Sequence, residues 1–183
     1  LRLLRQDPWE CLASFVCSSV SNIPRISKTL ESVAASYGDP LALDSHCLYR
    51  FPDACRLANV GEEALRGLGL GFRAGYLAQI APLAAHGEID LMGLRSAPYD
   101  EAKAALVKLP GIGDKVADCI LVFSLDKLDG FPVDRWVRRA LEDWYGHHKK
   151  ARYQELLEWA QQRWGQRAGY AQQYLYHHRR LMG

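Results

Sequence analysis

The sequence lacks the cysteine patterns that hold metal clusters or disulfide frameworks. It has five cysteines in 183 residues, and no two of them form a CxxC pair. Structural zinc sites, iron–sulfur clusters and disulfide frameworks need closely spaced or paired cysteines, so this odd, scattered set argues against all three. We interpret the five as reduced thiols, most of them in the core: Cys11, Cys17, Cys47, Cys55 and Cys119.

Long hydrophobic runs are also missing. The longest, Leu77 to Ala85, is interrupted by Gln79 and Pro82, and it is far shorter than the roughly 20 residues that cross a bilayer. No signal-peptide pattern precedes Asp7. The sequence therefore predicts an intracellular protein without a membrane partner.

Neither sign of charge is in strong excess. The 23 basic and 21 acidic side chains leave a formal net charge of +2, which is too small to predict a polyanionic partner from the total. Any basic surface must therefore come from the distribution of charge. The apolar content of 49% is enough for one compact core or for two small lobes that share a cleft.

Strand-type alternation is not found either, whereas helical periodicity recurs along the chain, so we predict an all-α fold. Asp7 and Pro8 are a typical helix start, with Asp7 as the N-cap. A second helix begins at Ile23 and ends on Gly38, which we interpret as a left-handed stop before a loop around Pro40. Further apolar repeats predict helices within 68–87 and 99–109.

The stretch LPGIGDKVADC, residues 109–119, places two glycines before a lysine and a new apolar repeat. It predicts a helix, a glycine turn and a second helix that starts directly after Gly113. Glycines lack Cβ and let the backbone approach a partner closely, and the free amides at a helix N-terminus favour an anion such as phosphate. An ordinary turn between two helices is the alternative for so short a motif.

A second motif, PVDRWV, places Asp134 just before an apolar repeat that starts at Trp136. Asp134 is an apt N-cap for that helix, and capping alone would account for it. Lys115 and Asp134 lie at opposite ends of one helix–loop connection, which permits both side chains to face a shared cleft.

Together the two motifs resemble the signature of a known family. LPGIGDKVADCILVFSLDK followed by PVDRWV is similar to the helix-hairpin-helix, Gly/Pro-rich loop and aspartate (HhH-GPD) signature of base-excision DNA glycosylases, and most similar to the eukaryote-type 8-oxoguanine glycosylases. Three other blocks resemble successive parts of that family: RLLRQDPWECLASFVCSSVSNIPRI, LRGLGLGFRAGYL and WGQRAGYAQQYLY. The resemblance implies two helical lobes, one of residues 20–125 with the hairpin at 101–124, the other of 1–19 with 126–183. The resemblance leaves the family's β-rich N-terminal domain without a match in these 183 residues, and we expect it upstream of Leu1.

The resemblance implies a bifunctional enzyme, a DNA N-glycosylase with AP lyase activity. Lys115 would attack C1′ of the damaged nucleotide, displace 8-oxoguanine from its place opposite cytosine, and form an imine whose β-elimination nicks the strand. A lysine at a helix N-terminus in a water-poor cleft is disfavoured in its charged form, as a nucleophilic amine requires. Asp134 would stabilise the positive charge that develops on the sugar. No cofactor is implied for the chemistry.

Three residues match the family's base pocket. Gln172 corresponds to the glutamine that hydrogen-bonds the Watson–Crick edge of 8-oxoguanine. Tyr176 takes the place of an aromatic ring that stacks on the base, and Cys119 matches a cysteine on its other face. A glutamine on an exposed helix face is the alternative for Gln172.

Earlier blocks match the family's contacts to the duplex. Phe72 is the expected wedge beside the flipped nucleotide, and Arg25 and Arg73 are expected to read the unpaired cytosine. Core packing is the alternative for Phe72, and solvation is the alternative for the two arginines.

Two departures from the family affect these expectations. Where the family usually has three asparagines, this chain has Val20, Ser21 and Asn22. Val20 therefore stands where a group fills the vacated space in the duplex, and we expect weaker opposite-base selectivity. A Val-His pair of the family is replaced by Arg135 and Trp136, so Trp136 is expected to close the pocket differently.

The hairpin is expected to bind the phosphate backbone through the amides of Gly111 and Gly113. The resemblance also implies a structural cation held by backbone carbonyls of the hairpin: those of Val107, Leu109 and Ile112. The partner would be double-stranded DNA containing an oxidised base, bound by a monomer in the nucleus of a eukaryote or in the cytoplasm and nucleoid of a prokaryote. One alternative is a non-catalytic helix-hairpin-helix module, which would bind duplex DNA equally with or without a lesion and much more weakly as the salt concentration rises. Another is a glycosylase for another oxidised or alkylated base.

Overall fold

The structure, a computed structural model, describes residues 1–43 and 46–182. It is mostly helical, which confirms the predicted fold class. A π-helical turn covers Arg66–Leu70 and a 3-10 turn covers Gly165–Arg167. Among the described helices, none is both long and apolar enough to span a bilayer. The helices are α1 (Pro8–Cys17), α2 (Ile23–Tyr37), α3 (Ala54–Ala58), α4 (Glu62–Leu65), α5 (Arg73–Ala85), α6 (Leu91–Ser96), α7 (Tyr99–Leu106), α8 (Asp114–Ser124), α9 (Arg135–Tyr145), α10 (Tyr153–Trp164) and α11 (Ala168–Met182).

A small β-hairpin is an exception to the all-helical prediction. Strand β1 (Pro40–Leu43) pairs antiparallel with β2 (His46–Tyr49), with Pro40 opposite Tyr49. The sequence predicted only a loop around Pro40. Strands of four residues carry too short an alternation to be recognised by periodicity.

The predicted helix ends are confirmed at α1 and corrected at α2. Asp7 caps α1, since its carboxylate accepts a hydrogen bond from the Glu10 amide at 2.9 Å. Gly38 is extended, with φ −92° and ψ 172°, and is not left-handed. A Cβ at Gly38 would lie 1.8 Å from the carbonyl oxygen of Arg50 and 2.5 Å from that of Ala34. Glycine is needed there because another stretch of backbone passes close beside it.

We expect Gly38→Ala to lower the free energy of unfolding by at least about 2 kcal/mol, because the new methyl group meets backbone atoms that cannot rotate away. Urea unfolding followed by circular dichroism measures the loss. Gly67→Ala is the control, since a Cβ at Gly67 meets nothing within 4 Å. Equal unfolding midpoints for the two variants would contradict the expectation.

The described chain divides into two compact units. We call residues 7–91 with 109–111 the N-terminal unit, and residues 1–6, 92–108 and 112–183 the C-terminal unit. These boundaries differ from those of the expected lobes. Helix α1 belongs to the N-terminal unit because its Ala13 and Cys17 pack into that unit's core cluster. The other buried members of this cluster are Val33, Leu57, Leu65, Leu70, Ala74, Leu77 and Ala81.

The second hairpin helix, α8, lies in the C-terminal unit and not in the lobe predicted for it. Its buried Asp118 binds Tyr99, Lys103 and Tyr153, which lie on α7 and α10 of the same unit. The core of the C-terminal unit is formed mainly by α9, α10 and α11, and its buried members include Phe131, Val137, Leu141, Leu156, Leu157 and Leu175. All five cysteines are free, and three of them, Cys11, Cys17 and Cys119, are buried.

Candidate active site

The predicted glycine hairpin joins α7 to α8. Gly111 has a left-handed φ of +77°, and Gly113 is the N-cap of α8 with an ordinary φ of −98°. A Cβ at Gly111 would lie 2.4 Å from the ring of Tyr76, whereas a Cβ at Gly113 would meet nothing within 4 Å. No side chain in the described part of the protein caps α8. The first glycine therefore serves the turn and its packing, and the second leaves space beside an uncapped helix N-terminus, where an anion is favoured.

Lys115 and Cys119 lie one turn apart on α8, so their side chains share a face. Lys115 is half-buried and Cys119 is buried. Burial raises the pKa of the Cys119 thiol to about 12, and Lys115 opposes this shift both by its charge and by a hydrogen bond to the thiol. Asp134 acts on the same thiol and raises its pKa further. The structure therefore brings Lys115, Cys119 and Asp134 into one electrostatic neighbourhood, in which the thiol is neutral at pH 7.

Asp134 caps α9, as predicted. Its Oδ1 accepts hydrogen bonds from the amides of Trp136, at 2.9 Å, and Val137, at 2.8 Å. Both bonds end on the same oxygen, so the cap does not use Oδ2. The cap fixes the rotamer of a half-buried carboxylate, which is the arrangement that electrostatic stabilisation of a cation requires.

Gln172 and Tyr176 lie one turn apart on α11. Gln172 is only 4% exposed, which contradicts the alternative of an exposed helix face. Its Oε1 accepts a hydrogen bond from Gln173 Nε2 at 2.7 Å. Tyr176 is half-buried against the core cluster of the C-terminal unit, and Arg180 donates to its hydroxyl at 3.3 Å. Both residues thus lie in the same unit as Lys115, Cys119 and Asp134.

Arg73, on α5 of the N-terminal unit, is buried and not solvated, with 5% of its surface exposed. Its guanidinium donates to the carbonyl oxygens of Ser19 at 2.6 Å, Val20 at 2.7 Å and Leu70 at 3.2 Å. The adjacent Phe72 is 48% exposed, so core packing does not account for it. Arg73 thus hydrogen-bonds to backbone carbonyls, and Phe72 lies at the surface.

Asn22 and Arg25 lie at the start of α2 in the same unit. The side chain of Asn22 caps the helix and accepts a hydrogen bond from the Arg25 amide at 3.0 Å. The Arg25 side chain is exposed. Capping therefore accounts for Asn22, and the exposure of Arg25 leaves both base reading and solvation open for its side chain.

Trp136, which replaces the family's histidine, is half-buried in the first turn of α9. The guanidinium of Arg135 lies 4.9 Å from its ring centre and that of Arg139 lies 5.7 Å away. Such cation–π contacts hold two positive charges beside the indole.

Sequence reasoning missed the buried carboxylate of Asp118, which is 0% exposed. The hydroxyls of Tyr99 and Tyr153 donate to it, and Lys103 Nζ lies 3.2 Å from its Oδ2. Burial raises the pKa of Asp118, and Lys103 opposes that shift. Burial and the neighbouring carboxylate raise the pKa of both tyrosines, so both stay hydroxyl donors. The available signal was the single charged residue inside the apolar run VADCI, because a carboxylate that is buried with its apolar neighbours needs partners.

The cation expected at the hairpin stays a prediction. Its donors would be carbonyl oxygens, which are the ligands that hard cations prefer, but Leu109 belongs to one unit and Val107 and Ile112 to the other. Within residues 1–43 and 46–182, no group of three or more His, Cys, Asp or Glu side chains could hold a metal ion.

A helical fold in which a glycine hairpin precedes a lysine and an aspartate caps the next long helix defines a helix-hairpin-helix protein. The family described as "HhH-GPD superfamily base excision DNA repair protein" matches residues 13–166, and the chain belongs to this family. The resemblance inferred from the two motifs is thereby confirmed.

Several N-glycosylase/DNA lyases are similar to the chain. The probable N-glycosylase/DNA lyase of Methanothermobacter thermautotrophicus is 31% identical over 204 residues, which cover all of this chain and 64% of that protein. The N-glycosylase/DNA lyase OGG1 of Arabidopsis thaliana is 44% identical over 143 residues, 74% of this chain and 38% of that one. The Clostridium acetobutylicum 8-oxoguanine glycosylase/lyase, solved with double-stranded DNA containing cytosine opposite 8-oxoguanine, superposes with a TM-score of 0.94 at 34% identity, over 98% of this chain and 61% of that one. The chain thus spans less than two thirds of the length of these relatives.

Proposed function

We propose that this chain carries the catalytic residues of a bifunctional DNA glycosylase/AP lyase that removes 8-oxoguanine opposite cytosine. The observation that carries the proposal is the placement of Lys115 on the first turn of the hairpin helix. There it contacts a buried neutral thiol, and Asp134 lies in the same electrostatic neighbourhood. The similarity to N-glycosylase/DNA lyases supports the same reaction.

Lys115 Nζ attacks C1′ of the damaged nucleotide as the bond from C1′ to the base breaks. The base leaves with the bonding electrons and takes up a proton, and the sugar ring opens to give an imine on Nζ. The fixed carboxylate of Asp134 stabilises the positive charge on the sugar. Loss of a proton from C2′ then expels the 3′ phosphate, which nicks the strand.

Gln172, Tyr176 and Cys119 form the base pocket in this proposal. A buried glutamine presents donor and acceptor groups to the Watson–Crick edge of a flipped base, and the ring of Tyr176 stacks on its face. Because Cys119 is a neutral thiol, it can pack against the other face without introducing a charge. The protein acts as a monomer on duplex DNA, and no cofactor takes part in the chemistry.

Gly113→Ala tests whether the hairpin binds phosphate. The added methyl group meets no protein atom within 4 Å, so the melting temperature should not fall. It stands where a phosphate would approach the α8 amides, and we expect the Kd for an abasic-analogue duplex to rise about tenfold. Fluorescence anisotropy measures the Kd, with Gly67→Ala as control. Unchanged binding by the Gly113 variant would show that the hairpin does not bind the phosphate backbone.

Borohydride trapping tests the function as a whole. The chain is incubated with three duplexes that contain 8-oxoguanine opposite cytosine, an abasic site opposite cytosine, or no lesion. We expect covalent adducts on the first two and none on the third. An adduct on the abasic duplex alone would indicate a different target base. No adduct on any duplex, with binding that ignores the lesion and weakens steeply with salt, would favour the non-catalytic module.

A further inference from the structure

Tyr153, at the start of α10, contacts both of the segments that carry the candidate catalytic residues. Its hydroxyl donates a hydrogen bond to Oδ2 of Asp118, on the helix that carries Lys115. The backbone amide of Val133, the residue before Asp134, donates a hydrogen bond to the same hydroxyl and so opposes the rise in its pKa. One phenol oxygen therefore links the helix of the proposed nucleophile to the loop of the proposed aspartate.

The loop end of this link is buried. Phe131 is 0% exposed and Val133 is 7% exposed, and the carbonyl oxygen of Phe131 lies 3.4 Å from the Tyr153 hydroxyl. Tyr153 itself packs against the core cluster of the C-terminal unit. A buried amide that loses its acceptor finds no water to replace it, so the contact between the loop and the phenol is costly to break.

The helix end of the link is fixed by Lys103 of α7. Its ammonium nitrogen lies 3.2 Å from Oδ2 of Asp118 and 3.5 Å from Oδ1 of Asp114. These two residues stand three positions after Lys115 and directly before it. The same nitrogen lies 5.2 Å from the ring centre of Tyr153. The turn of α8 that presents Lys115 is therefore held at both of its ends.

We infer that Tyr153 is a positioning residue, which sets the distance between the helix that carries Lys115 and the loop that carries Asp134. This inference rests on the proposed function. Lys115 attacks the same sugar whose positive charge Asp134 stabilises, so the two side chains must be aligned on one atom. A misplacement of about 1 Å costs roughly 10²-fold in rate. Tyr153 acts through Asp118 and the Val133 amide and not on the substrate itself.

The competing explanation is that Tyr153 only stabilises the fold, and Tyr99 provides a control that separates the two. The Tyr99 hydroxyl donates to Oδ1 of Asp118 and accepts from Lys103 at 3.3 Å, so these contacts lie between α7 and α8. Tyr99→Phe and Tyr153→Phe each remove one hydroxyl donor from the same carboxylate. The second change also removes the acceptor of the Val133 amide.

Single-turnover excision of 8-oxoguanine opposite cytosine compares the two variants well below their melting temperatures. We expect Tyr153→Phe to slow excision by at least about 30-fold, because the reacting groups lose their alignment. Its Kd for an abasic-analogue duplex should stay within about twofold of that of the natural chain, since the groups that bind DNA are unchanged. Tyr99→Phe should stay within about threefold in both measurements. Equal excision rates for the two variants would overturn the inference, whatever their melting temperatures.

Asp118→Asn tests whether position or charge matters, and it carries the test alone if Tyr153→Phe fails to fold. The amide oxygen of this variant can take the place of Oδ2 and accept from Tyr153, while its NH₂ group faces the Tyr99 hydroxyl, which can accept. The link to Val133 then survives without the negative charge, so we expect excision within about tenfold of the natural rate. A loss of more than about 100-fold would show that the charge matters and not the position, and it would overturn the inference.

Amide hydrogen exchange followed by NMR gives a readout that does not depend on catalysis. In the natural chain without DNA we expect the Val133 amide to be protected, and Tyr153→Phe should speed its exchange by at least about tenfold relative to Tyr99→Phe. Rapid exchange of this amide in the natural chain, or equal exchange in the two variants, would overturn the inference even if borohydride trapping succeeds. Failure of trapping on every duplex would instead overturn the proposed function.

Discussion

Lys115→Gln is expected to abolish borohydride trapping and strand nicking, with base excision slowed by at least about 10³-fold. Glutamine retains much of the length and polarity of lysine, but its amide nitrogen is not a nucleophile, so no imine can form. Because Lys115 is half-buried in the first turn of α8, the fold should tolerate the change. Binding to an abasic-analogue duplex should stay within severalfold of that of the natural chain.

A matched control removes the same charge elsewhere. Lys149 is exposed in the loop between α9 and α10, and Lys149→Gln should keep full trapping. Digestion of the trapped natural complex followed by mass spectrometry should place the adduct on the peptide that contains Lys115. Nicking retained by the Lys115 variant, or an adduct on another lysine, would exclude Lys115 as the nucleophile.

Asp118→Ala is expected to lower the free energy of unfolding by about 3–5 kcal/mol, because removing one partner leaves the others buried without compensation. Lys103 is only 11% exposed in its side chain, and the two tyrosine hydroxyls that donate to Asp118 would also lose their acceptor. The same carboxylate ties α8 to α7 and α10. Urea unfolding at pH 7 measures the change.

Asp114→Ala is a close control for this second variant. Asp114 also pairs with Lys103, at 3.5 Å, but its side chain is 58% exposed, so its loss should cost less than about 1 kcal/mol. Tyr153→Phe, which removes one donor and keeps the ring, should fall between the two. Similar unfolding midpoints for Asp118→Ala and Asp114→Ala would show that the buried cluster adds no stability.

Part of the candidate site could be predicted from the sequence, because some of its contacts join residues that are close together in the chain. Lys115 and Cys119 share a face since they lie one helical turn apart, and the cap of α9 is formed by Asp134 two and three residues before the amides that it binds. Val20 could be flagged from sequence as a departure from the family. The positive φ of Val20 and the hydrogen bonds of Arg73 could not be predicted from the sequence, because Arg73 binds carbonyls 53 and 54 residues away.

Local patterns in the sequence were enough to predict the helical class, the N-caps of α1 and α9 and the glycine hairpin, because periodicity, capping and turn formation depend on residues within one or two turns. The core that α8 joins depends instead on long-range packing, through the contacts of Asp118 with residues 15, 19 and 35 positions away. The need for glycine at position 38 also arises from packing, since the carbonyl of Arg50 lies where a Cβ would be. Such relations follow from which segments of the chain pack together, and local pattern does not specify that.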